Sequence, residues 1–161
     1  MRSVICIFSV FCWSLLALAQ TPQEIISRMD AEIAKHRDDG IVMVADSKIP
    51  VLGNMTVKTY ATDDDDMGFF SGIIDGYDVT VQKETADAWY ILCKKNKSNK
   101  EKDAPKNMDL VVEKKNCYPK SLSFKMSGIS MTLRDIAFGV TEKQVTFNPA
   151  NYPGAKIIDK R

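Results

Sequence analysis

Two patterns predict an α+β fold in which one amphipathic helix covers the apolar face of an antiparallel sheet. The first is strict alternation late in the chain, where Leu122, Phe124 and Met126 interleave with Ser121, Ser123, Lys125 and Ser127. Beyond the Ser127-Gly128 turn, Met131 and Leu133 alternate with Thr132 and Arg134, and Val145 and Phe147 flank Thr146. Successive side chains of a strand point to opposite faces, so a period of two marks a sheet with one wet and one dry face. The second pattern is helical: Ile25, Ile26, Met29 and Ile33 share a face from which Glu24, Arg28 and Glu32 are turned away. An apolar sheet face under a thin helical cover suits a container better than an enzyme.

The helix should begin at the capping box Thr21-Pro22-Gln23-Glu24, with proline at the first helical position. Gly40, after Arg37-Asp38-Asp39, is a natural stop, giving a helix of about four turns. It reads either as a core element or as a lid. Residues 41–45 and 55–60 then form a hairpin about a turn at 49–54. The run Asp63-Asp64-Asp65-Asp66 breaks any strand. It lacks the spaced acceptors, glycine and closing glutamate of a calcium loop, so a solvated loop is expected. Residues 69–74 hold one helical turn at most.

Residues 78–83 read as a strand, and residues 88–93, apolar on both faces, as a central strand. Residues 94–106 are a lysine-rich hairpin loop that could meet an anionic membrane or partner. Glu101 and Asp103 dilute it, and a solvated tip is the plainer reading. Leu110-Val111-Val112 opens another strand, Tyr118-Pro119 marks a turn, and Pro149, Pro153 and Gly154 leave the tail irregular.

Residues 1–19 have the form of a cleaved signal peptide. Arg2 precedes a run from Val4 to Leu18 that is almost wholly apolar, and Ala17-Leu18-Ala19 supplies the small-x-small cleavage pattern. The run is short for a bilayer span and no basic stop-transfer cluster follows it. The mature chain is then one domain, residues 20–161, long enough for a single core. Of the charged side chains only Arg2 leaves with the signal, so 21 basic residues face 21 acidic ones. Near-neutral charge argues against nucleic acid as a partner.

Export makes a disulfide between Cys93 and Cys117 the first thought. Pairing residues 88–94 with 108–114 about the lysine loop sets Cys93 opposite Leu110. Cys117 then lies roughly 23 Å further on, well beyond the ~7 Å that a disulfide spans. Two free, buried thiols are expected.

Catalytic equipment is sparse. His36 is the only histidine and sits near a helix C-terminus, where a cation is favoured by the helix dipole. One histidine without spaced partners builds no zinc site. No nucleophile elbow, phosphate loop, dinucleotide fingerprint or Cys-x-x-Cys is present. Pairs such as Asp75 with Asp78, or Asp135 with Glu142, have the residue types for acid–base work, but surface carboxylates are common. No enzyme activity, catalytic residue, metal or cofactor is expected. Seven methionines beyond Met1, with Trp89, Phe124 and Phe147, supply adaptable apolar surface that suits either a pocket or a core.

The run Tyr118-Pro119-Lys120-Ser121-Leu122-Ser123-Phe124-Lys125-Met126-Ser127-Gly128 resembles the periplasmic outer-membrane lipoprotein carrier family (LolA-like). So do Met131-Thr132-Leu133-Arg134-Asp135-Ile136-Ala137-Phe138 and Val145-Thr146-Phe147-Asn148-Pro149. The resemblance implies a strongly curved antiparallel sheet, an unclosed barrel, with the N-terminal amphipathic helix on its concave face. It implies non-catalytic carriage of lipoprotein acyl chains or related lipids, as a periplasmic monomer served by a membrane-bound donor or acceptor. The lining would be Ile25, Met29 and Ile33 from the helix, with Leu110, Val112, Leu122, Phe124, Met126, Met131 and Leu133 from the sheet. The interval from Tyr60 to Tyr77 is shorter than the family pattern, so an open sheet edge is expected there. The rival reading is an exported structural or protein-interaction domain whose apolar face is only core.

Overall fold

The computed structural model describes residues 20–36, 39–61, 73–141 and 150. The order of elements is α1 (Pro22–Ala34), β1 (Gly40–Ile49), β2 (Gly53–Ala61), α2 (Ile73–Gly76), β3 (Tyr77–Glu84), β4 (Ala88–Lys95), β5 (Asn107–Glu113), β6 (Pro119–Met126) and β7 (Ile129–Val140). The proposed signal segment, the aspartate run and the Val145–Phe147 strand expected from the sequence lie outside the described residues.

The α1 N-terminus is built as the sequence predicts. The Glu24 amide donates to Thr21 Oγ1 (3.2 Å) while the Thr21 amide donates to Glu24 Oε2 (2.8 Å), two reciprocal bonds that satisfy orphan donors. The other end differs. The helix stops at Ala34 rather than running to Gly40, because the His36 amide turns back to the Ile33 carbonyl (2.9 Å) in a tighter final turn. Gly40 instead opens β1, where a Cβ would collide with the Tyr60 ring.

The seven strands form one sheet in the order β2-β1-β7-β6-β5-β4-β3, every neighbour antiparallel. It does not close: β2 and β3, consecutive in the chain, are its two edges. Bulges bend it. On β7, register slips at Asp135 (φ 52°) and Gly139 (φ 71°) against β1, and further slips fall between Val81 and Lys83 and between Val111 and Val112. Each extra residue adds local twist and bend, which curls a sheet of this width around its cover. The β6–β7 turn places Ser127 (φ 50°) and Gly128 (φ 85°) both in the left-handed region that a two-residue hairpin demands.

Strand β4 departs from the sequence reading. It is interior, between β3 and β5, but one-sided: Trp89, Ile91 and Cys93 are buried while Tyr90 faces solvent. Its aromatic and aliphatic residues on the outer face hid the period of two. Cys93 pairs with Met108, not Leu110, a slip of two residues that preserves which face each side chain takes. Both cysteines are buried and unbonded, as the geometric argument expected.

Candidate lipid-binding face

The register gathers the alternating apolar positions into rows that cross the sheet. One row runs Val79, Cys93, Met108, Phe124, Met131, Ser47 and Met55. The next runs Val81, Ile91, Leu110, Leu122, Leu133, Ala45 and Val57. At ~4.8 Å between strands, each row is about 29 Å long from β3 to β2. The opposite face carries Thr56, Asp46, Thr132 and Ser123, where Ser123 Oγ lies 3.0 Å from Thr132 Oγ1 and Thr56 donates to Asp46 at 2.7 Å. There Arg134 donates to Asp46 and Asp135 and holds the Asp46 carboxyl below its usual range.

The apolar rows meet α1. Ile25, Ile26, Met29 and Ile33 join Leu110, Val112, Leu122, Phe124 and Leu133 in one continuous buried cluster, with Met131 packed against its border. Burial of this kind stabilises by roughly 1.5–3 kcal/mol per large side chain. Of the ten lining residues read from the sequence, nine therefore share one interior surface. Met126 points to the same face, but at the end of β6 it is 38% exposed. The lining read from the sequence left out Ile26, Ile41, Tyr77, Val79, Trp89, Ile91, Cys93, Met108 and Cys117, which complete the buried cluster. Alternation over residues 77–81 was the signal for Tyr77 and Val79, while in residues 89–93 it was masked by the apolar Tyr90 and Leu92.

The cover is unequal across the sheet. The helix packs nearest β3 and α2, at one edge. At the other, Met55 and Val57 continue the two rows onto β2 yet remain 50% and 42% exposed. The dry face thus runs out from under its roof into solvent.

The roof also contains a misfit. Asp30 follows Met29 on α1, and its Oδ1 is buried with no hydrogen-bond partner among the described residues. Burial, with repulsion from Asp75, lifts its carboxyl to about 6. A carboxylate desolvated among apolar side chains disfavours its charged form. Cys93 is likewise pushed up to about 12, by burial and then by the neighbouring Asp109 charge, so its thiol stays protonated.

Sequence reasoning also missed a polar cluster at the far end of α1. His36 Nδ1 lies 3.0 Å from Asp39 Oδ2, its ring stacks on Phe138 at 5.9 Å, and the Tyr118 and Phe138 rings meet edge to face at 5.1 Å. Only the fold brings these positions together.

No family model and no curated protein matches the chain. Among solved structures, a LolA superfamily protein from Nitrosomonas europaea is similar over 82% of this chain and 100% of its own, at 11% identity and a TM-score of 0.37. Identity and score at that level leave the function to be argued from this chain's own residues.

Proposed function

We propose that this protein binds the acyl chains of lipids or lipoproteins on the inner sheet face, without catalysis, with α1 as the movable cover. The observation that carries the reading is the exposed continuation of the apolar rows at Met55 and Val57. A face that served only as core would end where its cover ends. An acyl chain laid along the rows from the β2 edge gains ~0.8 kcal/mol per methylene buried. The unpartnered Asp30 oxygen inside the roof weakens the helix–sheet contact, since a buried polar atom without a partner costs roughly 1–3 kcal/mol. That cost makes α1 easier to lift than the hydrogen-bonded strands. A periplasmic location, with a membrane-bound donor or acceptor, fits the signal-like segment and the carrier-family resemblance.

The test is fatty-acid affinity, read with a fluorescent fatty acid, for the protein and two variants. Val57→Asp puts a charge where the rows emerge, at a position already exposed, and should weaken binding at least ten-fold with the fold intact. Ser123→Asp, on the outer face, should leave affinity within about two-fold. Absence of binding by the unaltered protein, or equal losses in both variants, would make the apolar face core alone.

A further inference from the structure

The strands and connections place three loops at one rim of the sheet: the β1–β2 turn, the β6–β7 turn and the β4–β5 loop. They are contiguous. One cleft is lined by Lys48, Pro50 and Val51 from the first and Lys125 and Gly128 from the second. The next joins Lys125 and Met126 to Lys102 and Lys106 of the third.

At the summit of this rim, Val51 is fully exposed and Leu52 is 80% exposed. Val51 also adopts φ 75°, a left-handed conformation that a β-branched side chain strongly disfavours. Glycine or asparagine would relieve that backbone, and a polar residue would suit the solvent. An apolar, β-branched residue at a solvent-facing left-handed position has no rationale in folding.

The charge around these side chains is one-sided. Among the described residues, Lys48, Lys125 and the six lysines of residues 94–106 share the rim with four acids, Asp75, Asp78, Glu101 and Asp103. The whole chain has a formal net charge of only +1, so positive charge is concentrated here.

We propose that this rim docks on an anionic lipid bilayer, with Val51 and Leu52 entering the interfacial layer and the surrounding lysines facing lipid phosphates. Exposed apolar tips among lysines match both halves of such a surface: apolar area enters the acyl boundary and cations meet the negative headgroups. An acidic protein partner would use the lysines but leave Val51 and Leu52 without a role. This inference goes beyond the acyl-binding reading and stands without it.

The test is co-sedimentation of the full chain with phosphatidylglycerol vesicles and with pure phosphatidylcholine vesicles. The unaltered chain should prefer phosphatidylglycerol and lose binding as salt rises. The neutral pair Val51→Ser/Leu52→Ser should weaken adsorption roughly ten-fold. Lys48→Glu/Lys125→Glu should weaken it by more than about ten-fold. Lys115→Glu/Lys120→Glu makes the same charge change at the opposite rim and should stay within about two-fold. Unchanged unfolding transitions will show that these surface variants fold. The proposal is overturned by no preference for phosphatidylglycerol, by equal losses from the two lysine pairs, or by undiminished binding in the rim variants, as when residues 1–19 carry the adsorption.

Discussion

The His36 imidazole ties the end of α1 to the loop ahead of β6: its Nε2 lies 2.6 Å from the Tyr118 hydroxyl, 82 residues away in sequence. Asp39 as a carboxylate only accepts, so the Nδ1–H donates to it, while Nε2 shares a hydrogen bond with the phenol. The contact fastens the C-terminal end of the cover to the rim of the sheet opposite the lysines.

Removing this fastening should be measurable in stability. Tyr118→Phe should lower the unfolding free energy by about 1 kcal/mol in urea melts, the net value of a typical hydrogen bond. A double-mutant cycle with His36→Gln should return a coupling of ~0.5–1.5 kcal/mol; additive losses would show that the bond contributes nothing.

Asp30 should make the protein more stable in mild acid than at neutrality on its own account. Its folded pKa is about 6 against an ordinary 3.8, so the folded state binds the extra proton between those values. The stabilising contribution of the protonated form is complete below 3.8 and is lost as pH rises through 6. With the carboxyl only partly buried, the loss is on the order of 1–2 kcal/mol. Asp30→Asn should therefore raise stability at pH 7.5, change little at pH 4, and flatten the dependence between; a parallel pH profile in the variant would refute this.

Thiol chemistry offers a third check. With its thiol pushed up to about 12 and buried, Cys93 should be inert to a thiol reagent at pH 8 in the folded state, and buried Cys117 should be protected by inaccessibility. Both should react fully in denaturant. Rapid labelling of the folded chain would mean that the cover opens freely.

Side-chain direction in β6 is tested by neighbouring truncations. Leu122→Ala, at a fully buried centre of the second apolar row, should cost roughly 2–5 kcal/mol. Ser121→Ala, one residue earlier on the outer face, should fall within about 1 kcal/mol. Similar costs at both sites would contradict the register.

Much of this was legible in the residues because burial on one face writes itself as alternation. Leu122, Phe124 and Leu133 could be assigned to the interior from their polar neighbours alone. The capping box fixed the start of α1 because its bonds are local, between residues three apart. Its end was misjudged because the final turn tightens through the His36 amide, and His36 is held by Tyr118, 82 residues away in the loop ahead of β6. Residues 88–93 misled through Tyr90 and Leu92, outward-facing apolar side chains that look the same in a string of letters as buried ones. The exposed end of the rows at Met55 and Val57 was invisible for a different reason: strand order, not strand pattern, places β2 beyond the roof.

That strand order has a consequence for how the chain assembles. Among the described strands every sheet neighbour is adjacent in sequence except β1 and β7, which pair Gly40 with Val140. The β1–β2 hairpin is made early, yet among the described strands the other partner of β1 is made last. Closing that long loop is the entropically slow step. Until it closes, β1 offers an unpaired backbone edge and half-finished apolar rows. The sheet described above therefore stays unfinished until β7 has been made.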